Sequence, residues 1–249
     1  MKIVGIIPAR YSSSRFPGKP LMDICGKTMI QRVYENAIRV KELSEVYVAT
    51  DDERIQKVCI SNDLRVILTS QNHMTGMDRV GEVATKVKAD LYVNIQGDEP
   101  LLEPNTILKA IQPFFYTPTP QITNLMTAIR NPVDLINNTI PKVVTNKDGI
   151  GIYLSRGALP SPKGSIEYLF YKQVCVYGVK SEALQFFCDY GKKHGKAKLE
   201  SIEDIEILRF IENGYHVQFI EVDTASVAVD TPNDLEVVRV LVKQAEEGK

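Results

Sequence analysis

The sequence predicts an α/β fold in which a mostly parallel sheet carries helices on both faces and an inserted lobe of mixed strands. Three observations lead there. Through residues 1–115, short apolar runs alternate with helix-length amphipathic segments, the pattern of parallel strands joined by crossover helices. Between residues 120 and 180, strand-like runs follow one another with few helices between them, and from residue 181 helical patterning returns.

The elements follow in order. Residues 2–8 form a compact apolar run that reads as a buried strand, interrupted by Pro8-Ala9-Arg10. Residues 28–40 carry Met29, Ile30, Val33, Ala37 and Val40 near helical spacing. Residues 45–50 read as the next strand, and Asp51-Asp52 cap a helix over 53–61. Residues 64–68 are strand-like, 77–87 helical, and 89–96 a strand that ends in Gly97-Asp98-Glu99-Pro100. The proline-containing stretch 116–121 leads into strands at 122–129, 141–145, 150–154 and 172–179. These form a lobe at roughly 120–180, attached to a single domain spanning 1–249 rather than folding separately. Helices over 181–190 and 201–213 come next, the second with Gly214 as C-cap, then strands at 216–222 and 226–229. Thr231 is the N-cap of the last helix, with Pro232 at its first position.

Composition narrows the function. The chain has 249 residues, 44% hydrophobic and 24% charged, with a net charge of −1. No global basic field favours nucleic acid, so any anion-binding charge is local. No apolar run approaches the roughly 20 residues that span a bilayer, so no membrane partner is expected. The first residues read as a strand and not as a signal peptide. Cys25, Cys59, Cys175 and Cys188 are widely spaced with no CxxC pair, as expected of reduced thiols in the cytoplasm.

An open parallel sheet binds ligands beyond the carboxyl ends of its strands, and the strongest chemical signal lies there. In the segment 8–21, which follows the first strand, Arg10, Arg15 and Lys19 and three serines fall within ten residues, with Gly18 allowing close backbone approach. A triphosphate calls for this mixture of fixed charge, forked guanidinium donors and backbone N–H groups. It is neither a GxxxxGK[ST] loop nor a dinucleotide fingerprint: Lys19 is followed by proline, and Gly149-Ile150-Gly151 lacks the third glycine. A solvated surface loop has the same spacing. Two aspartates tilt the balance, because Asp98 and Asp230 each end an apolar run. Carboxylates so placed suit Mg²⁺, which takes one or two of them together with phosphate oxygens and water; helix or turn capping is the competing use of each. His73, His194 and His216 are too scattered for a metal cluster. In the segment 73–79, glycine precedes a helix with Arg79 in its first turn, which also suits a plain capped helix.

Together these segments resemble the 3-deoxy-manno-octulosonate (Kdo) cytidylyltransferases, over nearly the whole chain. The resemblance rests on IIPARYxSxRxPGKPL at 6–21, Ala49-Thr50-Asp51, an HxSGTxR-like stretch at 73–79 and NxQGDEP at 94–100. It continues in YxSR at 153–156, ExxExxExLR at 200–209 and VDTPxDL at 229–235. The first motif is shared with sialic-acid cytidylyltransferases; the set is specific. The resemblance implies a Rossmann-like nucleotidyltransferase fold and Mg²⁺-dependent transfer of CMP from CTP to a 2-keto-3-deoxy sugar acid, with release of pyrophosphate. It implies that Arg10, Arg15 and Lys19 neutralise the triphosphate, that Pro8, Ala9, Thr75, Gly76 and Arg79 shape the cytidine pocket, and that Asp98 and Asp230 hold the metal. Arg10, Lys19, Asp98 and Asp230 are the residues expected to carry catalysis. Gln96, Lys142, Arg156, Gln173, Tyr177, Glu200 and Glu203 are expected on the sugar side, Lys142 and Arg156 for its carboxylate. A homodimer built through the lobe, and a place in lipopolysaccharide synthesis, complete the expectation.

The chain departs from the family pattern at Gln173, where the family has histidine, and at Ile207, where it has glutamine; Thr75 and Met77 are milder changes. The first two fall in the part associated with sugar recognition and leave open a different acid sugar, such as an amino-Kdo or a nonulosonic acid. A nucleotide-binding protein without catalysis is the alternative of another class, and the retained pair Asp98 and Asp230 argues against it.

Overall fold

The computed structural model describes residues 1–12, 16–116, 118–164, 167–223 and 226–247, and the chain divides into two units: Met1–Leu108 with Ser226–Lys249, and Lys109–Ala225. The first unit opens with strand β1 (Ile3–Ala9), followed by a two-strand hairpin, β2 (Asp23–Ile24) and β3 (Lys27–Thr28). Helix α1 (Met29–Ala37) is capped by Thr28, whose side chain accepts from the Gln31 N–H, and buries Met29, Ile30, Val33 and Ala37 as the spacing predicts. Then come β4 (Glu45–Thr50), α2 (Glu53–Ser61), β5 (Val66–Leu68), α3 (Gly76–Lys86) and β6 (Leu91–Ile95). Four of these strands lie in the order β6-β1-β4-β5, all parallel. β1 and β6 are nearly continuous apolar runs because they are buried on both faces. Helix α4 (Pro104–Ile111), not anticipated from the sequence, contains the boundary between the units.

The second unit holds β7 (Ile122–Ala128), a short α5 (Pro132–Ile136), β8 (Lys142–Thr145), β9 (Gly151–Ser155) and β10 (Tyr171–Lys180). It continues through α6 (Ser181–His194), α7 (Lys198–Glu203), α8 (Leu208–Glu212) and β11 (Val217–Glu221). β7 runs antiparallel to β10 and parallel to β11, while β8 is antiparallel to both β10 and β9. Mixed strands are therefore found where the sequence predicts them. The chain then returns to the first unit through α9 (Pro232–Glu247).

Two expectations about elements are corrected. The single helix expected over 201–213 is two helices, because Asp204 takes a left-handed conformation (φ 50°) and ends α7. In a continuous helix, residues nine apart would stand about 13–14 Å apart along the axis. The break instead lets Arg209 fold back on Glu200, with Nη2–Oε1 at 2.6 Å and Nε–Oε2 at 2.7 Å. Both side chains are essentially inaccessible, and the guanidinium also stacks 3.6 Å from the Phe187 ring centroid and donates to the Phe187 carbonyl. Nor do residues 226–229 form a strand. Val229 is fully buried against Ile24, Met29, Leu235 and Val238, and its N–H donates to the Asp98 carbonyl at 2.9 Å. Its apolar alternation reflects packing of an irregular segment and not sheet pairing.

Removing one partner of a buried ion pair strands the other charge. Arg209→Met and Glu200→Gln are each expected to cost about 3–5 kcal/mol in urea unfolding, the first leaving the Glu200 carboxylate and the second the Arg209 guanidinium buried without its countercharge. A second titration sits on α3. Glu82 takes the Ser70 N–H at 2.8 Å, His73 at 2.7 Å and Lys86 at 2.8 Å. Burial pushes its carboxyl up, but Lys86, the Ser70 N–H and His73 outweigh that and hold it at about 2, below its ordinary 4.5. A carboxylate with a depressed folded pKa stabilises fully above its unfolded value and loses that contribution as the pH falls through the folded one. Unfolding midpoints should therefore drop between pH 4.5 and 2, and Glu82→Gln should flatten that slope.

Candidate active site

The loop after β1 closes on itself: the Gly18 N–H donates to the Tyr11 carbonyl at 2.8 Å. Gly18 has φ +72°, a left-handed conformation that favours glycine, and a Cβ there would stand 3.1 Å from the Tyr11 ring. A 3₁₀ turn, Lys19–Leu21, follows with Pro20 buried. From it the Lys19 ammonium reaches Asp98 Oδ2 at 2.7 Å, the Val229 carbonyl at 3.0 Å and Asp230 Oδ1 at 3.2 Å. Three segments far apart in the chain thus meet on one cation.

Each carboxylate is placed by its neighbours. β6 lies beside β1, and the turn after it passes so close to the end of β1 that a Cβ on Gly97 would be 2.9 Å from the Pro8 carbonyl oxygen. Only glycine fits there, and Asp98 follows immediately. At the other aspartate, capping is performed by neighbours: Asp234 Oδ2 accepts from the Thr231 N–H at 2.8 Å, and Thr231 Oγ1 accepts from the Asp234 N–H at 3.3 Å. This reciprocal arrangement is a capping box. The Asp230 N–H also donates to Asp234, at 3.0 Å, and its carboxylate turns to Lys19. The capping use that competes for Asp230 in the sequence thus belongs to Thr231 and Asp234.

Among the described residues, no three His, Cys, Asp or Glu side chains gather into a metal-ligating group. Mg²⁺ does not require one. Asp98 and Asp230 reach the same ammonium, so both are within range of a single cation, and their oxygen donors are of the hard type that Mg²⁺ takes. The neighbouring Glu99 is different in kind. It is nearly fully buried, and burial, with the charge of Asp98 adding, pushes its carboxyl up to about 8. Glu99 is therefore mostly protonated at neutral pH, while the Asp98 carboxylate faces Lys19.

Arg10 is exposed at the end of β1, with Pro8 half-buried and Ala9 buried before it. Arg15 lies outside the described residues, with Ser13 and Ser14. Gln96 is half-buried in the turn that leads to Asp98. Thr75 caps α3, accepting from the Asp78 N–H at 3.1 Å, and Gly76 is the first residue of that helix. Arg79 is almost fully buried and tied to Asp51 Oδ2 at 2.7 Å and to Thr69. Asp51 and Thr69 are functional candidates that the sequence reading passed over. Their signal was position, since both follow the carboxyl ends of strands β4 and β5. With Asp52 and Gln71 they line an open cleft of about 460 Å³.

The remaining sugar-side candidates lie in the second unit, in three clusters. Lys142 is fully buried and its ammonium donates to the carbonyls of Asn137, Ile140 and Arg156, at 2.8, 2.9 and 2.6 Å. Burial, with the Arg156 charge adding, lowers its pKa. Arg156 donates to the carbonyls of Asn138, Thr139, Glu203 and Asp204. Both cations hold the backbone here. Glu203 accepts from Ser155 at 2.7 Å, Tyr153 at 3.3 Å and the Arg156 N–H at 2.8 Å. Glu200 is enclosed with Arg209 as described above. Gln173 and Tyr177 are brought together by a bulge in β10 between Val174 and Tyr177: Asn124 donates to the Val174 and Val176 carbonyls and accepts from Gln173 Nε2 at 2.8 Å, and Gln173 also reaches Tyr177 Oη at 3.5 Å. Asn124 was missed, although a lone amide in the apolar run of β7 is a visible signal. Ile207 is fully buried, so this departure from the family pattern fills core space.

The cytidylyltransferase family model matches residues 4–222. The 3-deoxy-manno-octulosonate cytidylyltransferase of Geobacter sulfurreducens is 42% identical, over 96% of this chain and 98% of its own. That of Trichlorobacter lovleyi is 40% identical, over 98% of this chain and all of its own. A solved CMP:2-keto-3-deoxy-manno-octonic acid synthetase complexed with CTP superposes with a TM-score of 0.92 at 38% identity, covering 98% of this chain and 100% of that one. The 4-diphosphocytidyl-2C-methyl-D-erythritol synthase of Anaerococcus prevotii, at 14% identity and a TM-score of 0.65, over 97% of this chain and 99% of that one, shares the Rossmann-like nucleotidyltransferase fold. With a parallel strand-end site on a nucleotidyltransferase fold and this similarity over nearly its full length, the chain belongs to the cytidylyltransferase family, among the 3-deoxy-manno-octulosonate cytidylyltransferases.

Proposed function

We propose that the protein transfers CMP from CTP to Kdo, releasing pyrophosphate. The observation that carries this reading is the Lys19 ammonium shared by Asp98 and Asp230 at the strand-end loop, in a chain 42% identical to a Kdo cytidylyltransferase. The anomeric hydroxyl of the sugar forms a bond to the α-phosphorus as the bond to pyrophosphate breaks. Such a transfer asks the protein mainly for positioning and charge neutralisation. Arg10 and Lys19 meet the triphosphate, Arg79 is held by Asp51 and Thr69 at the edge of the nucleoside cleft, and Asp98 and Asp230 hold Mg²⁺. The bound ion supplies neutralisation of the phosphate charge that builds up on transfer.

On the sugar side, Asn124 holds the Gln173 amide, which in turn reaches the Tyr177 phenol, and the cations Lys142 and Arg156 shape the backbone around residues 137–140. Enclosed beside Arg209, Glu200 acts as a packing element that positions Glu203 three residues on. A homodimer through the lobe is supported by exposed apolar side chains at Val133, Ile136, Ile152 and Leu169. We place the reaction in the cytoplasm as a step toward lipopolysaccharide. Cys25 and Cys59 are free thiols, the Cys59 thiol is pushed up to about 12 by burial, and no helix among the described residues is long and apolar enough to cross a membrane.

Pyrophosphate release, measured with each nucleoside triphosphate against a panel of 2-keto sugar acids, should be greatest with CTP and Kdo. Higher kcat/KM with an amino-Kdo or a nonulosonic acid would reassign the acceptor, and no CTP-dependent turnover with any acid would remove the enzyme reading. Asp98→Ala is expected to lower kcat about 10²–10³-fold while the thermal midpoint stays near the parent's. Near-normal kcat in that variant would refute the role of Asp98.

A further inference from the structure

Two side chains not yet given a role bear directly on the basic loop, and one of them, Arg54, also lines the cleft with Asp51, Asp52, Thr69 and Gln71. Arg54 is the second residue of α2, whose N-cap Asp52 accepts the Arg54 N–H at 2.9 Å. The same carboxylate takes the Arg54 side chain in a fork, Nε to Oδ1 at 2.9 Å and Nη2 to Oδ2 at 2.7 Å, which fixes the plane of the guanidinium. That plane lies over Tyr11, with the guanidinium carbon 3.2 Å from the ring centroid. On the loop side, Tyr11 is the residue whose carbonyl takes the Gly18 N–H and whose ring lies against the Gly18 backbone. The Arg54 side chain is 58% exposed, so burial does not hold it there. Capping of α2 needs only Asp52, and neither contact of the Arg54 side chain is required for it.

We propose that Arg54 and Tyr11 form a clasp that ties the Tyr11–Gly18 contact, which lies between Arg10 and Lys19, to the start of α2. They act as positioning residues for the triphosphate cations. The inference rests on the reading of this loop as the triphosphate loop. A loop held in its binding conformation beforehand loses less freedom when nucleotide arrives. The effect belongs to CTP and not to the sugar, because the clasp joins the loop to α2 at the cleft lined by Asp51 and Thr69, whereas Lys142, Arg156, Gln173 and Tyr177 lie in the second unit.

The test compares the full-length protein with Arg54→Ala, Arg54→Lys, Tyr11→Ala and the double alanine variant. Each is read by KM for CTP, KM for Kdo, kcat, and hydrogen exchange at the Gly18 amide without nucleotide. Loss of a cation–π contact at an exposed site corresponds to about two- to fivefold. Each alanine variant should raise KM for CTP and speed Gly18 exchange by about that factor, with the Kdo KM unmoved. Arg54→Lys, a cation without the fork, should fall between, and the double variant should be no worse than Tyr11→Ala. Unchanged Gly18 exchange in Arg54→Ala overturns the clasp, as does strict additivity in the double variant. If the parent protein turns over no CTP, the reading of the site fails by itself, and Gly18 exchange still decides whether the clasp exists.

Discussion

One ammonium group ties the site together. Lys19 leaves a short turn after β1 and bonds at once to Asp98, which follows β6, and to Asp230, which precedes α9. Two carboxylates in one place repel, and a cation between them offsets that cost. The same lysine takes the Val229 carbonyl, and the Val229 N–H is bonded to the Asp98 carbonyl, so backbone and side chains hold the three segments in one arrangement. Much of the first unit serves this meeting. Gly97 lets the β6 turn cross the Pro8 carbonyl, and the capping box of α9 turns the Asp230 carboxylate toward the loop.

The second unit uses charge differently. Around Lys142 and Arg156, cations donate to backbone carbonyls and shape loops, and around Arg209 and Glu200 a buried pair holds two short helices against each other. Such pairs are retained at a cost in desolvation, and their gain here is geometric. The left-handed Asp204 is what allows Arg209 to reach Glu200. Gln173, which takes the place of a histidine in the family pattern, sits in an amide network with Asn124 and Tyr177, and so keeps a hydrogen-bonding group where the pattern has one.

The candidate residues around Lys19 are legible in the sequence because each follows an apolar run. The strand-end rule singles out the Gly18-Lys19 loop and Asp98, while Asp230 follows an apolar run that packs as an irregular segment and not as a strand. It says nothing about partners. Asp51 and Thr69 satisfied the same rule and were passed over, because an Asp before a helix reads as a cap. Asn124 is visible as a lone amide in β7, but the bulge that it bridges is something periodicity cannot display. The expected helix over 201–213 failed for a related reason: nothing local distinguishes an Asp that continues a helix from one that enters the left-handed region.

The sequence by itself determined the alternation of strands and helices, the parallel class of the first unit's β6-β1-β4-β5 strands, the basic loop and the motifs that place the chain in its family. These are local properties, encoded in apolar spacing, caps and short segments. Only the tertiary structure decided that Lys19 lies between Asp98 and Asp230, that Ile207 is core, and that Lys142 and Arg156 hold backbone carbonyls in this conformation. Each of these depends on which distant segment a side chain meets, and that is fixed by packing and by the competition among donors for a limited set of acceptors.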